Sequence, residues 1–296
     1  MTVNTAAAPQ VAPTTDHFGA RLARAVADRG PLCVGVDPHP GLLDAWGLTR
    51  DVAGVERFAR TVVEALADRV AVLKPQSAFF EQYGSRGVAV LEHVIADARA
   101  AGALVLNDVK RGDIGSTVEA YAAAYLDPAS PLCGDAMTAS PYLGFGSLAP
   151  LIDTAVANGN GVFVLGLTSN PEGPQVQHAV AADGRTVAQT VLDSVAAANA
   201  GCVPEADGAP YGPVGVVVGA TVGETGHDLS RVGGPFLAPG LGAQGAGAED
   251  LRAVFGDARR AVLPSVSREV LRAGPKHSAL RSAASRAADD FAAVLA

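Results

Sequence analysis

The chain has 296 residues, 49% hydrophobic and 18% charged, with 22 Lys+Arg against 30 Asp+Glu and a net charge of -8. So much apolar material excludes disorder along the whole length. An acidic chain without a basic cluster excludes general binding of nucleic acid or of an anionic membrane, although a local site can still oppose the global sign.

Residues 1–15 are mostly Ala, Thr and Pro and read as a flexible tail. The first charged residue is Asp16 and the first basic one is Arg21, so the positive start of a signal peptide is missing. No apolar run is long enough to span a bilayer. Cys33, Cys133 and Cys202 lie far apart with no C-x-x-C pair, which supports neither a disulfide framework nor a zinc knuckle. These features predict a cytoplasmic protein with no membrane partner.

Residues 16–296 read as one domain of alternating elements. Short Val- and Leu-rich runs predict strands over 32–37, 70–74, 104–110, 135–140, 162–167, 214–218, 236–238 and 261–265. Continuous apolar runs suit strands buried on both faces, as in a parallel sheet. Val52, Val55, Phe58, Val62 and Leu66 recur at steps of three and four and predict one helix face. Residues 170–213 read as an enlarged fifth crossover with a loop. Thr221 to Glu224 has the pattern of a capping box and predicts a helix after the sixth strand. Leu280, Ala284, Ala287, Phe291 and Leu295 predict a C-terminal helix. Eight strands alternating with helices predict an α/β fold, a (β/α)8 TIM barrel. An open doubly wound sheet is the competing architecture, but the first strand leads into Asp-Pro-His-Pro and lacks G-x-G-x-x-G.

Barrel enzymes place reactive groups at the C-terminal ends of strands. Asp37 closes the first predicted strand, Lys74 the second, Asp108 and Lys110 the third, and Thr138 and Ser140 the fourth. Charged groups in apolar strands are costly unless paired, so a ring of ion pairs that merely fixes the barrel mouth is the bland alternative. Strand period puts Asp108 and Lys110 on one face, with Val109 facing away. Gly112 permits a turn, and Asp113 lies beyond it. An ammonium between carboxylates stays protonated, which suits a proton donor and argues against imine chemistry. Asp37, Asp108 and Asp113 could instead hold Mg²⁺, with Lys74 and Lys110 competing for the same carboxylates. No His pair has ligand spacing. His39, in the first strand–helix loop, is the one histidine near the predicted mouth.

The last two strands carry a phosphate signal. Residues 238–247, Ala-Pro-Gly-Leu-Gly-Ala-Gln-Gly-Ala-Gly, offer backbone N–H groups. Residues 264–268, Pro-Ser-Val-Ser-Arg, offer hydroxyls and Arg268 at a helix start.

Together these motifs resemble the orotidine 5′-phosphate decarboxylase family, in its longer bacterial branch. The resemblance rests on Asp108-x-Lys110-x-x-Asp113 with Ile114 and Thr117, on Asp37 in Gly-Val-Asp-Pro, and on Lys74 in Leu-Lys-Pro-Gln-Ser. Thr-Ala-Ser-Pro-Tyr-Leu-Gly at 138–144, Pro-Gly-Leu-Gly-Ala-Gln-Gly at 239–245 and Ser267-Arg268 extend it. It implies decarboxylation of orotidine monophosphate to UMP and CO2, the last step of pyrimidine synthesis, without metal or other cofactor. It implies that Lys110 protonates C6, that Asp108 sits against the departing carboxylate, and that Lys74 and Asp113 complete an alternating charged network. Asp37 and Lys74 then hold ribose hydroxyls, Ser140 contacts the pyrimidine, and Gln244 and Arg268 bind phosphate. Ile114, Gly245 and Ser267 join the substrate-binding set. A homodimer is implied, with Asp113 and Thr117 serving the partner's site. A Mg²⁺-dependent keto-sugar-phosphate decarboxylase of the same superfamily and a non-catalytic phosphate-binding barrel stay open.

Overall fold

The computed structural model describes residues 16–200, 211–242 and 245–296. The predicted tail at 1–15, Cys202 and Gln244 lie outside the described residues. Eight parallel strands close into a barrel in sequence order. They are β1 Cys33–Val36, β2 Val72–Pro75, β3 Leu104–Arg111, β4 Ala136–Ala139, β5 Gly161–Leu167, β6 Val214–Val218, β7 Phe236–Ala238 and β8 Val262–Val266. Pairing of Cys33 with Ser265 and Val34 with Val266 closes the ring. The closed ring rules out the open sheet.

Away from their C-terminal ends the strands are apolar on both faces for the same reason. Inward side chains such as Leu106, Phe163, Leu237 and Leu263 fill the barrel. Outward ones such as Val34, Val105, Val164 and Val216 pack against the helices. Helix Val52–Leu66 buries Val55, Phe58, Val62 and Leu66, the predicted face. It starts at Asp51, whose carboxylate accepts the Gly54 N–H at 2.9 Å. Helix His277–Leu295 buries Leu280, Ala284, Ala287, Phe291 and Leu295 as expected.

Two features depart from the sequence reading. No helix lies between β6 and β7. Gly223 and Gly226 sit at φ 71° and 69°, a left-handed backbone that a helix starting at Thr221 cannot contain. The second is helix Phe18–Arg29, which plugs the N-terminal end of the barrel. Phe18 lies edge-on to Phe163 at 5.8 Å. It also fills the space that a side chain at Gly161 would need. Arg21 donates to Asp135 at 2.5 Å, and the other Asp135 oxygen accepts Val105 N–H at 2.8 Å. Charge at this end serves stability, because the C-terminal ends of the strands open on the opposite side. The predicted fifth crossover contains the helices Pro174–Gln177 and Val187–Ala200.

Candidate active site

The C-terminal strand ends surround a cavity of about 500 Å³, within the usual range for small-ligand sites. Leu165, Val217 and Leu237 give it an apolar wall. Asp37, Lys74, Asp108, Lys110, Ser267 and Arg268 all reach it, so six predicted site residues converge.

Asp108 is the hub. Its Oδ1 accepts from Lys110 Nζ at 2.6 Å and from the Thr138 hydroxyl at 2.9 Å. Its Oδ2 accepts from Lys74 Nζ at 3.4 Å. The Lys74 side chain is 8% exposed, whereas that of Lys110 is 46% exposed. Lys74 is therefore locked in the barrel, and Lys110 stands at the rim, free to meet a ligand. Burial alone raises the Asp108 carboxyl, but Lys74, Lys110 and the Thr138 hydroxyl overcome it and hold the carboxyl at about 2. Burial alone lowers Lys74, but Asp108 and Asp37 raise it above the ordinary lysine value. Both groups stay charged at neutral pH. Cys33, deeper in the barrel, is pushed up to about 12 by burial and stays a neutral thiol.

Lys110 has φ 47°, the one positive φ outside glycine among the described residues. Such a backbone costs about 1–3 kcal/mol and persists only where its surroundings impose it. Here β3 loses its regular pairing between Asn107 and Arg111. Arg111 anchors the far side of this irregularity through an ion pair to Glu81 and through the face of Tyr121, 5.6 Å away.

Across the cavity, Asp37 Oδ1 and Ser267 Oγ are buried without a protein partner. Gly35 is needed beneath them, since a Cβ there would stand 2.7 Å from Asp37 Oδ2 and 2.9 Å from Ser267 Cβ. Arg268 makes no ion pair with a described residue. Gly240, Gly242 and Gly245 have φ 97°, 65° and 101° in the loop after β7, a shape that needs glycine. Gly240 lines the cavity, while Gly245 lies further along the loop and does not. Three cations and two carboxylates face the cavity, which suits an anion inside an acidic protein.

Besides Gly245, four predicted residues lie off the cavity. Asp113, Ile114 and Thr117 follow β3 on the outer side and do not line this cavity. The Asp113 carboxylate accepts its neighbour's Ile114 N–H at 2.8 Å. Ser140 also lies off the cavity. β4 ends at Ala139; the Ser140 N–H still donates to the Arg111 carbonyl at 2.8 Å, but its Cβ stands 3.6 Å from where a Cβ on Gly112 would lie, off the cavity. Hydroxyls on that side of the cavity come instead from Thr138, on β4, and from Thr168 and Ser169, after β5. Gln177 holds this loop, donating to Thr168 Oγ1 at 2.6 Å and accepting Thr168 N–H at 2.9 Å. His39 is exposed and packs on Phe79, with ring centroids 4.8 Å apart. Among the described residues, no three His, Cys, Asp or Glu side chains gather as a metal site. The predicted Asp37, Asp108 and Asp113 set does not assemble within one chain.

Gln76, Thr168, Ser169 and Gln177 were not anticipated as lining residues. Gln76 was within reach, because it stands two positions after Lys74 and strand period sends both inward.

A family model for the orotidine 5′-phosphate decarboxylase / HUMPS family matches residues 30–283. The chain belongs to this family. It is 68% identical over 280 residues to orotidine 5′-phosphate decarboxylase of Salinispora arenicola, covering 95% of this chain and 99% of that one. It is 62% identical over 272 residues to the Streptomyces coelicolor decarboxylase, covering 92% and 95%. A crystal structure from Streptomyces avermitilis, assigned as orotidine 5′-phosphate decarboxylase, superposes with TM-score 0.90 at 61% identity, covering 95% and 97%.

Proposed function

We propose that the protein decarboxylates orotidine 5′-monophosphate to UMP and CO2, the closing step of de novo pyrimidine synthesis. The observation that carries this reading is the Lys74–Asp108–Lys110 chain, which ends in a cationic amine at the cavity rim. Loss of CO2 leaves an electron pair on C6 of the ring, and the Lys110 ammonium donates its proton there. A fixed ammonium stabilises that developing charge more than it stabilises the ground state. Asp108 lies against the departing carboxylate. Asp37 and Lys74 take the ribose hydroxyls, consistent with the unpartnered Asp37 Oδ1. Arg268 and Ser267 take the phosphate, and Gln244 and Gly245 complete the substrate-binding set that the sequence pattern implies. Thr168 and Ser169 replace Ser140 as the hydroxyls beside the pyrimidine. Free, buried Cys33 and Cys133 suit a reducing cytoplasm.

Purified protein is expected to consume orotidine monophosphate at the same rate with and without EDTA, followed by ultraviolet absorbance. The positive charge at the site is supplied by Lys74, Lys110 and Arg268. No turnover would remove this reading, and loss of turnover in EDTA would favour the metal-dependent alternative.

The working unit in this proposal is a homodimer. Asp113 and Thr117 lie outside their own cavity, beside an exposed apolar patch. Ile114 is 62% exposed, Tyr142 78% and Leu143 53%. Their two loops touch, since a Cβ on Gly112 would stand 2.3 Å from the Ser140 carbonyl oxygen. Burial of this patch against a second copy carries Asp113, Ile114 and Thr117 to the partner's substrate. Inactive Asp108→Ala and Asp113→Ala chains, mixed and reassociated, are then expected to regain about a quarter of wild-type activity per site from random pairing. Mixtures as inactive as their parents would argue that each barrel works with its own residues.

A further inference from the structure

Thr138 is buried on β4, opposite Phe163 on β5. Its Oγ1 accepts the Val109 N–H at 3.0 Å and the Lys110 N–H at 2.9 Å, and donates to Asp108 Oδ1 at 2.9 Å. A hydroxyl has one donor and two acceptor sites, so all of its capacity is used. With both acceptor sites occupied by N–H groups, the single proton must point to Asp108. That oxygen also receives Lys110 Nζ, so it is the carboxylate form that fits.

These contacts fall where the sheet supplies none. Asn107 pairs with Met137 and Arg111 with Ala139, so four steps along β3 run past two along β4. The Val109 and Lys110 amides therefore lack ladder partners, and the side chain of Thr138 takes both. Lys110 is also the residue with φ 47°. We propose that Thr138 is the positioning residue of this site: its one hydroxyl sets both the left-handed backbone of Lys110 and the orientation of the Asp108 carboxylate that the Lys110 amine meets. Thr138 does not act on substrate itself. It acts through the two charged residues, by fixing where the ammonium stands relative to the ring atom. The β-branch matters too, because it restricts χ1 and keeps the oxygen aimed at the irregular stretch of β3.

The proposal rests on the decarboxylase reading, and wild type in the same assay separates the two. A wild type without turnover fails that reading, whereas variants that turn over normally fail only this one. Thr138→Val keeps the shape and removes the hydroxyl. Its kcat is expected to fall about 10²-fold, the scale of a misplacement near 1 Å, with KM and the Kd for the product UMP within about threefold. Thr138→Ser is expected to recover most of the lost kcat. A merely structural residue would not separate kcat from UMP affinity in this way. If Thr138→Val does not fold, Thr138→Ser and Thr138→Ala carry the test. Serine far above alanine in kcat, at equal UMP affinity, supports the proposal. A kcat for Thr138→Val within threefold of wild type overturns it. So does alanine equal to serine, or UMP affinity that falls in step with kcat.

Discussion

Lys110→Ala is expected to lower kcat for orotidine monophosphate by on the order of 10⁴-fold or more, with a much smaller change in KM. Two effects disappear together. General-acid transfer contributes roughly 10²–10⁴-fold, and a fixed charge at the developing anion about as much as an oxyanion-hole donor, 10²–10³-fold. Ground-state affinity changes little, because the proposed phosphate and ribose contacts fall to Arg268, Ser267, Asp37 and Lys74. The folded state should also tolerate the change. The Lys110 side chain is half exposed, and removing it leaves Asp108 with Lys74 and Thr138. Steady-state kinetics beside a thermal melt check both halves. A variant that retains a tenth of wild-type kcat would place the proton donor elsewhere.

Asp108→Ala is expected to cost both activity and stability. Lys74 sits in the barrel with an 8% exposed side chain, and Asp108 is its ion-pair partner. Removing one member of a buried pair costs about 3–5 kcal/mol, since it leaves the other charge uncompensated. The pH dependence follows from the shifts. Asp108 is held at about 2 against an ordinary 3.8, so it binds its proton less readily in the folded state. Such a group stabilises above its unfolded value and loses that contribution as pH falls from 3.8 through about 2. The contribution at neutral pH is roughly 2 kcal/mol. Lys74 is raised, so its contribution is complete below the ordinary lysine value and is lost only as alkali takes its proton. The acid-side loss therefore belongs to Asp108. Urea titrations of wild type and variant should diverge at pH 7 and approach each other toward pH 2. A constant gap across that range would mean that the carboxylate is not the stabilising form.

The charged residues were legible because each is anomalous where it stands. Lys74 and Asp108 interrupt apolar strands, and burying them unpaired is too costly to be incidental. Ser140 is the instructive failure. Strand period sends it inward with Thr138, but β4 ends at Ala139 and the Ser140 Cβ stands beside Gly112, off the cavity. Period predicts direction only while the strand lasts. Gln76 carries no such signal, because an amide is not anomalous at a strand end. The helix expected at Thr221 failed because two glycines took the left-handed backbone that the capping pattern left open.

The order of elements, the inward face of each helix and the charged strand ends follow from the amino-acid sequence itself, because periodicity and the cost of buried charge act over a few residues. The barrel's closure, its plug at Phe18 and the grip of Thr138 on β3 follow from tertiary structure alone. Each depends on which distant segments meet, and Thr138 lies 28 residues from the amide it holds.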